Sequence, residues 1–181
     1  LHVRSRRQRQ MCIRDSTMPD IASHLSRFAL LCVGNSMMGD DGAGPRLAEI
    51  CAEHPLSGWT VVDGGAAPEN DIGFLRELRP DYLVIVDATD MGLAPGEMRI
   101  IDENDIGEMF MMTTHNLPLT FLIQQLREDI PQITFVGIQP DVVAFYYPMS
   151  PVVEQAVSRL HQLLPRLETG LGIAPYRAEI A

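Results

Sequence analysis

Chemistry in this 181-residue chain can concentrate in three acidic loops and around one histidine. The first loop, Gly34-Asn35-Ser36-Met37-Met38-Gly39-Asp40-Asp41-Gly42, follows the apolar run 28–33. The second is Asp63-Gly64-Gly65, and the third, Asp87-Ala88-Thr89-Asp90, ends the very apolar run 82–86. His115 stands in Thr113-Thr114-His115-Asn116, clear of any apolar stripe. A charge ending such a strand is expensive to bury unless it is paired or metal-bound, which singles out Asp87. Asp40 and Asp41 serve equally well as turn and helix-cap residues. A lone loop histidine is more often solvated or a capping partner than a ligand. The combination changes that weighting. Two carboxylates and an imidazole from three separate loops form a hard-to-borderline divalent site with open coordination positions, of the kind that takes substrate or water. The glycines at 39, 42 and 44 run GxxGxG rather than GxGxxG, and two adjacent carboxylates would repel a pyrophosphate. His24, His54 and His161 have weaker claims, lying near the start, in a loop and on a helix face.

The elements that must position these loops alternate in type. Strand-length apolar runs fall at 28–33, 60–62, 82–86, 98–101 and 133–138. Helical periodicity falls at 45–52, 70–78, 118–127 and 152–164, with Pro45 suited to a first turn. This alternation predicts an α/β domain of three layers, α/β/α, with a mostly parallel, twisted, five-stranded sheet between helices. In such sheets ligands bind beyond the carboxyl ends of the strands, where strand order reverses. If the first and third strands are neighbours, Asp41 and Asp87 converge on one crevice. Two apolar clusters, Met109-Phe110-Met111-Met112 and Phe145-Tyr146-Tyr147-Pro148-Met149, are either ordinary core or a docking rim for protein. On the second reading Met111, Met112, Tyr146 and Tyr147 are the contacts.

Composition narrows the partners. The net charge is −10, the basic residues are all Arg, and Lys is absent. Such a chain repels nucleic acid and anionic membrane, and phosphate cradles that need a Lys are excluded. No apolar run approaches the ~20 residues of a membrane span. The sequence contains no GxSxG, HExxH, Asp-Thr-Gly or Asp-Ser-Gly, which argues against the usual serine, zinc and aspartic hydrolases. Cys32 and Cys51 belong to no CxxC pair, so a reducing, cytoplasmic setting is expected. Residues 1–17 are expected to form a leader outside the fold: 1–16 carry five of the 14 Arg, and Met11-Cys12-Ile13-Arg14-Asp15-Ser16 reads as non-native sequence. The domain is expected to span 27–165, with 166–181 a flexible tail and the protein a monomer without its substrate.

The stretch from Leu31 to Pro45 resembles the signature of the nickel–iron hydrogenase maturation endopeptidases. The likeness continues through Asp63-Gly64-Gly65, Asp87-Ala88-Thr89-Asp90, Thr113-Thr114-His115-Asn116 and Gly137-Ile138-Gln139-Pro140, covering roughly residues 28–165. Residues 111–116 and 141–149 are most similar to the hydrogenase-3 type. The resemblance implies an α/β/α endopeptidase that removes a C-terminal extension from the hydrogenase large-subunit precursor after nickel insertion. It implies nickel supplied by that precursor, with Asp41, Asp87 and His115 as its contacts, and Asp41 as either ligand or general base. A competing reading is a non-catalytic nickel-binding escort of the large subunit; another is a metal-dependent hydrolase of small molecules.

Overall fold

The computed structural model describes residues 28–102 and 119–177. Its strands are β1 (Phe28–Val33), β2 (Trp59–Gly65), β3 (Tyr82–Ala88), β4 (Met98–Ile101) and β5 (Gln132–Ile138). Its helices are α1 (Ala43–Glu53), α2 (Ile72–Leu78), α3 (Leu119–Leu126) and α4 (Pro151–Leu163). Short 3₁₀ segments lie at Gly39–Gly42 before α1, Pro68–Asp71 before α2 and Leu164–Thr169 after α4. The helix read at 70–78 therefore begins as a 3₁₀ turn, because Pro68 opens it in a position a proline favours.

The sheet runs in the order β2-β1-β3-β5-β4. β1 pairs in parallel with β2 and β3, β3 in parallel with β5, and β4 closes one edge antiparallel to β5. From β1 the chain crosses by α1 to β2 on one side, and then by α2 to β3 on the other. Strand order reverses between β1 and β3, the switch point at which a sheet of this kind ordinarily takes its ligand.

Buried strands apolar on both faces need helices on both faces. On one face Leu30, Cys32, Val84, Val86, Val136 and Ile138 pack against Leu47 and Cys51 of α1 and Val153, Val157 and Leu160 of α4. On the other, Leu31, Val33, Leu83, Ile85 and Phe135 meet Leu75 of α2 and Leu119, Leu122, Ile123 and Leu126 of α3. The helical periodicity seen in sequence is thus core-facing in all four helices.

The segment beyond Leu164, expected to be a flexible tail, is ordered against the sheet as far as residue 177. Ile100 N–H donates to Ala174 O at 3.0 Å, and Tyr176 N–H donates to Ile100 O at 2.7 Å. Leu171 is buried in the α1/α4 core, and Tyr176 packs against the opposite one. The physical reason is the open side of β4. An edge strand leaves a row of backbone groups unpaired, and an extended segment with a few apolar residues covers it. The sequence lacks any run long enough to announce this strand-like cover. Among the described residues no helix is long and apolar enough to cross a membrane.

Candidate functional site

Asp41 is set by a tight β1–α1 connection. Gly34 leaves β1 with φ near 140°, and a Cβ there would fall 2.0 Å from the Asp41 carbonyl oxygen. Only glycine fits this approach. The Asn35 N–H then donates both to Asp41 O at 3.0 Å and to the Asp41 carboxylate at 3.1 Å. The 3₁₀ turn that carries Asp41 lies against the end of β3. Gly44, in the first turn of α1, lets the helix press onto the backbone of Val33. Asp41 is 4% exposed and held over the carboxyl end of the sheet.

Asp87 occupies the penultimate position of β3 and is fully buried. It stands in register with Gly137 of β5 and shares the α2/α3 face with Leu83 and Ile85. Asp87 at the end of β3 and Asp41 on the turn after β1 thus follow neighbouring strands, as their placement after the first and third apolar runs predicts. Asp63 departs from this pattern: it is exposed and accepts from its own turn through Gly65 N–H at 3.3 Å. Among the described residues no three His, Cys, Asp or Glu groups converge as a metal centre. The third proposed contact, His115, lies outside the described residues, as do Met111 and Met112.

Two buried polar residues, Gln139 and Asp40, organise the rim, the second of them expected only as a turn or cap residue. The Gln139 side-chain oxygen accepts from Met91 N–H at 2.7 Å and Leu93 N–H at 3.2 Å, while its amide donates to Asp90 at 3.1 Å. Gln139 thereby fixes the loop that follows Asp87. Asp40, fully buried, accepts from the N–H groups of Asp141, Val142 and Ser150 and from the Ser150 hydroxyl, at 2.6–2.9 Å. The one signal for Asp40 was a doubled acid in a glycine-rich turn, which also suits a cap; for Gln139 it was a polar residue closing an apolar strand. Thr89, 4% exposed, has a hydroxyl with no hydrogen-bond partner among the described residues.

The aromatic rim is exposed where Tyr146 and Tyr147 were expected to dock protein. Phe145, Tyr146 and Tyr147 are 61%, 75% and 59% exposed, so they are not core. Phe145 and Tyr146 meet edge to face with centroids 4.3 Å apart. Tyr146 adopts a left-handed backbone (φ 58°), and its N–H donates to Met37 O at 2.8 Å, joining this rim to the Asp41 loop. Met37 and Val143, both 42% exposed, extend the apolar surface.

Thiol chemistry is closed to the described cysteines. Cys32 and Cys51 are buried without a disulfide. Burial, with the neighbouring Cys51 and Asp63, raises the Cys32 thiol well above its ordinary range, and burial raises Cys51 to about 11. Neither supplies a thiolate near neutrality.

A parallel-rich α/β sheet with two buried carboxylates at its switch point and an apolar rim beside them defines a class of site suited to a protein substrate. The profile of the hydrogenase maturation protease family matches residues 45–166, and the chain belongs to that family. It is 63% identical over 150 residues to the hydrogenase 3 maturation protease of Escherichia coli K12, covering 83% of this chain and 96% of the relative. The fold matches a crystal structure of a hydrogenase 3 maturation protease with a TM-score of 0.79 at 62% identity, over 83% of this chain and 97% of that one. A [NiFe] hydrogenase maturation protease from Thermococcus kodakarensis KOD1 matches with a TM-score of 0.70 at 28% identity, over 80% and 93% of the two chains.

Proposed function

We propose that this protein is the endopeptidase that removes the C-terminal extension of a nickel–iron hydrogenase large-subunit precursor once nickel has been inserted. The observation that carries this reading is two buried carboxylates, Asp87 at the end of β3 and Asp41 on the turn that follows the neighbouring β1, in a chain of the maturation protease family. Nickel arrives as part of the substrate. Carboxylates and a neutral imidazole suit a divalent ion of borderline softness, so Asp41, Asp87 and His115 are the groups that would hold it. The ion would orient the scissile bond and polarise its carbonyl.

The chain's own residues do the rest. Asp41, whose carboxylate is held by the Asn35 N–H, would be the group that takes a proton from the attacking water. Asp87, rigid in a strand paired on both sides, keeps one position fixed while the loops adapt. Phe145, Tyr146, Tyr147 and Met37 offer the precursor an apolar landing next to the Asp41 loop. Met111 and Met112 belong to the same proposed docking set. Because the substrate brings the metal, cleavage waits for loading, which makes the site a checkpoint as well as a catalyst.

His115→Ala tests this directly. The variant should keep the wild-type melting temperature yet leave nickel-loaded precursor uncut, and normal processing by the folded variant would refute the assignment. Precursor that forms a stable complex with wild-type protein but is never shortened would favour the escort reading instead.

A further inference from the structure

The aromatic rim is carried by an irregular segment, residues 141–150, with neither helix nor strand of its own. What holds it is the carboxylate of Asp40. One oxygen accepts from the N–H groups of Asp141 and Val142 and from the Ser150 hydroxyl, each at 2.9 Å; the other accepts from Ser150 N–H at 2.6 Å. The backbone completes the junction, since Asp40 N–H donates to Val142 O at 2.9 Å. Gly39, with φ 64°, leaves room for it: a Cβ there would fall 2.6 Å from that same Val142 oxygen. Ser150 shows the cost the fold accepts for this contact. It is the N-cap of α4, a place where a serine side chain ordinarily accepts from the first turn, yet it makes no cap hydrogen bond and donates to Asp40 instead.

One peptide bond separates Asp40 from Asp41. A charged acceptor binding several N–H groups is among the stronger hydrogen-bonded junctions available to a buried site. We propose that Asp40 is a positioning residue that couples the precursor-docking rim to Asp41, so that seating of the precursor on residues 143–147 sets the geometry of the proposed catalytic carboxylate. Asp40 itself touches no reacting atom, because its oxygens are occupied by the 141–150 segment. The inference rests on the reading of Tyr146 and its neighbours as the docking rim.

A double-variant cycle tests it, measuring kcat and KM for cleavage of nickel-loaded precursor together with the melting temperature. Tyr146→Ala should raise KM about tenfold and also lower kcat, because the seated precursor no longer sets Asp41. Asp40→Asn, which presents an amide donor to N–H groups, should raise KM similarly and lower kcat. In the Asp40→Asn background, Tyr146→Ala should add less than about twofold, because the rim is already uncoupled. Ser150→Ala removes one hydroxyl donor and leaves the N–H groups in place; it should raise KM about threefold at a near-wild-type melting temperature. Should Asp40→Asn not fold, Ser150→Ala with Tyr146→Ala provides the same cycle. Additive KM effects, near 100-fold in the Asp40→Asn/Tyr146→Ala protein, would overturn the coupling while leaving the docking reading intact. An unchanged KM for Tyr146→Ala alone would overturn both.

Discussion

Replacing Gly44 by alanine probes the close contact between α1 and β1 that supports the Asp41 loop. A Cβ at Gly44 would fall 2.0 Å from the carbonyl oxygen of Val33 and 2.6 Å from its nitrogen. Ordinary contact begins at 3.4 Å, so helix and strand must separate by about 1.4 Å. Neither side yields readily. Val33 is fully buried and its strand is paired on both sides, while α1 is anchored by Leu47 and Cys51. Alanine gains about 1 kcal/mol of helix propensity over glycine, but overpacking against backbone costs about 1–3 kcal/mol or more. With the clash at the top of that range or beyond, the expected net loss is about 2–3 kcal/mol. In a domain of this size that lowers the melting temperature by roughly 4–12 °C. Gly73→Ala in α2 is the matched control. Nothing lies within 4 Å of its Cβ, so it should gain roughly 0.5–1 kcal/mol. Differential scanning calorimetry and urea unfolding read both variants, and precursor processing should fall with Gly44→Ala because the clash lies three residues from Asp41. A Gly44→Ala protein as stable as the wild type, or shifted in the same direction as Gly73→Ala, would refute the reasoning.

Leu171→Ala should cost about 2–3 kcal/mol in urea unfolding, since Leu171 is buried in the α1/α4 core; a frayed tail would show no change. Thr89→Val replaces a buried hydroxyl without a described partner by a methyl and should stabilise the protein by about 1 kcal/mol; destabilisation would mean the hydroxyl is engaged. Cys51, with its thiol raised to about 11, should react with a maleimide at pH 8 about 100-fold more slowly in the folded than in the urea-unfolded protein, and equal rates would contradict its burial. The same thiol binds its proton more tightly when folded. Its contribution to stability is therefore full below the ordinary thiol value of 9.0 and declines as pH rises towards about 11.

Much of this fold was legible because its signals are local. The apolar runs at 28–33 and 82–86 read as buried strands, and both are central ones flanked by partners. A charge at the end of the 82–86 run pointed to a buried acid before any strand order was known, and Asp87 is fully buried at the end of β3. Asp40 and Gln139 were not legible, because their partners lie about a hundred and about fifty residues away and a carboxylate or an amide has no periodicity to reveal them. The docked segment 170–177 was hidden for a related reason: its cohesion comes from the open edge of β4, not from its own composition. Tyr146 and Tyr147 could be read as core or rim from sequence, and their exposure beside Met37 rules out the core.

The central claim is that a nickel-loaded precursor, seated at Asp41, Asp87 and His115, is cut once near its C-terminus. Intact-mass spectrometry of the precursor, incubated with the purified protein with and without nickel loading, tests this most directly. The account predicts loss of one discrete C-terminal peptide from the nickel-loaded precursor alone, and no loss with Asp87→Asn. Equal cleavage of the nickel-free precursor, or an unchanged mass after the loaded precursor has bound, would contradict it.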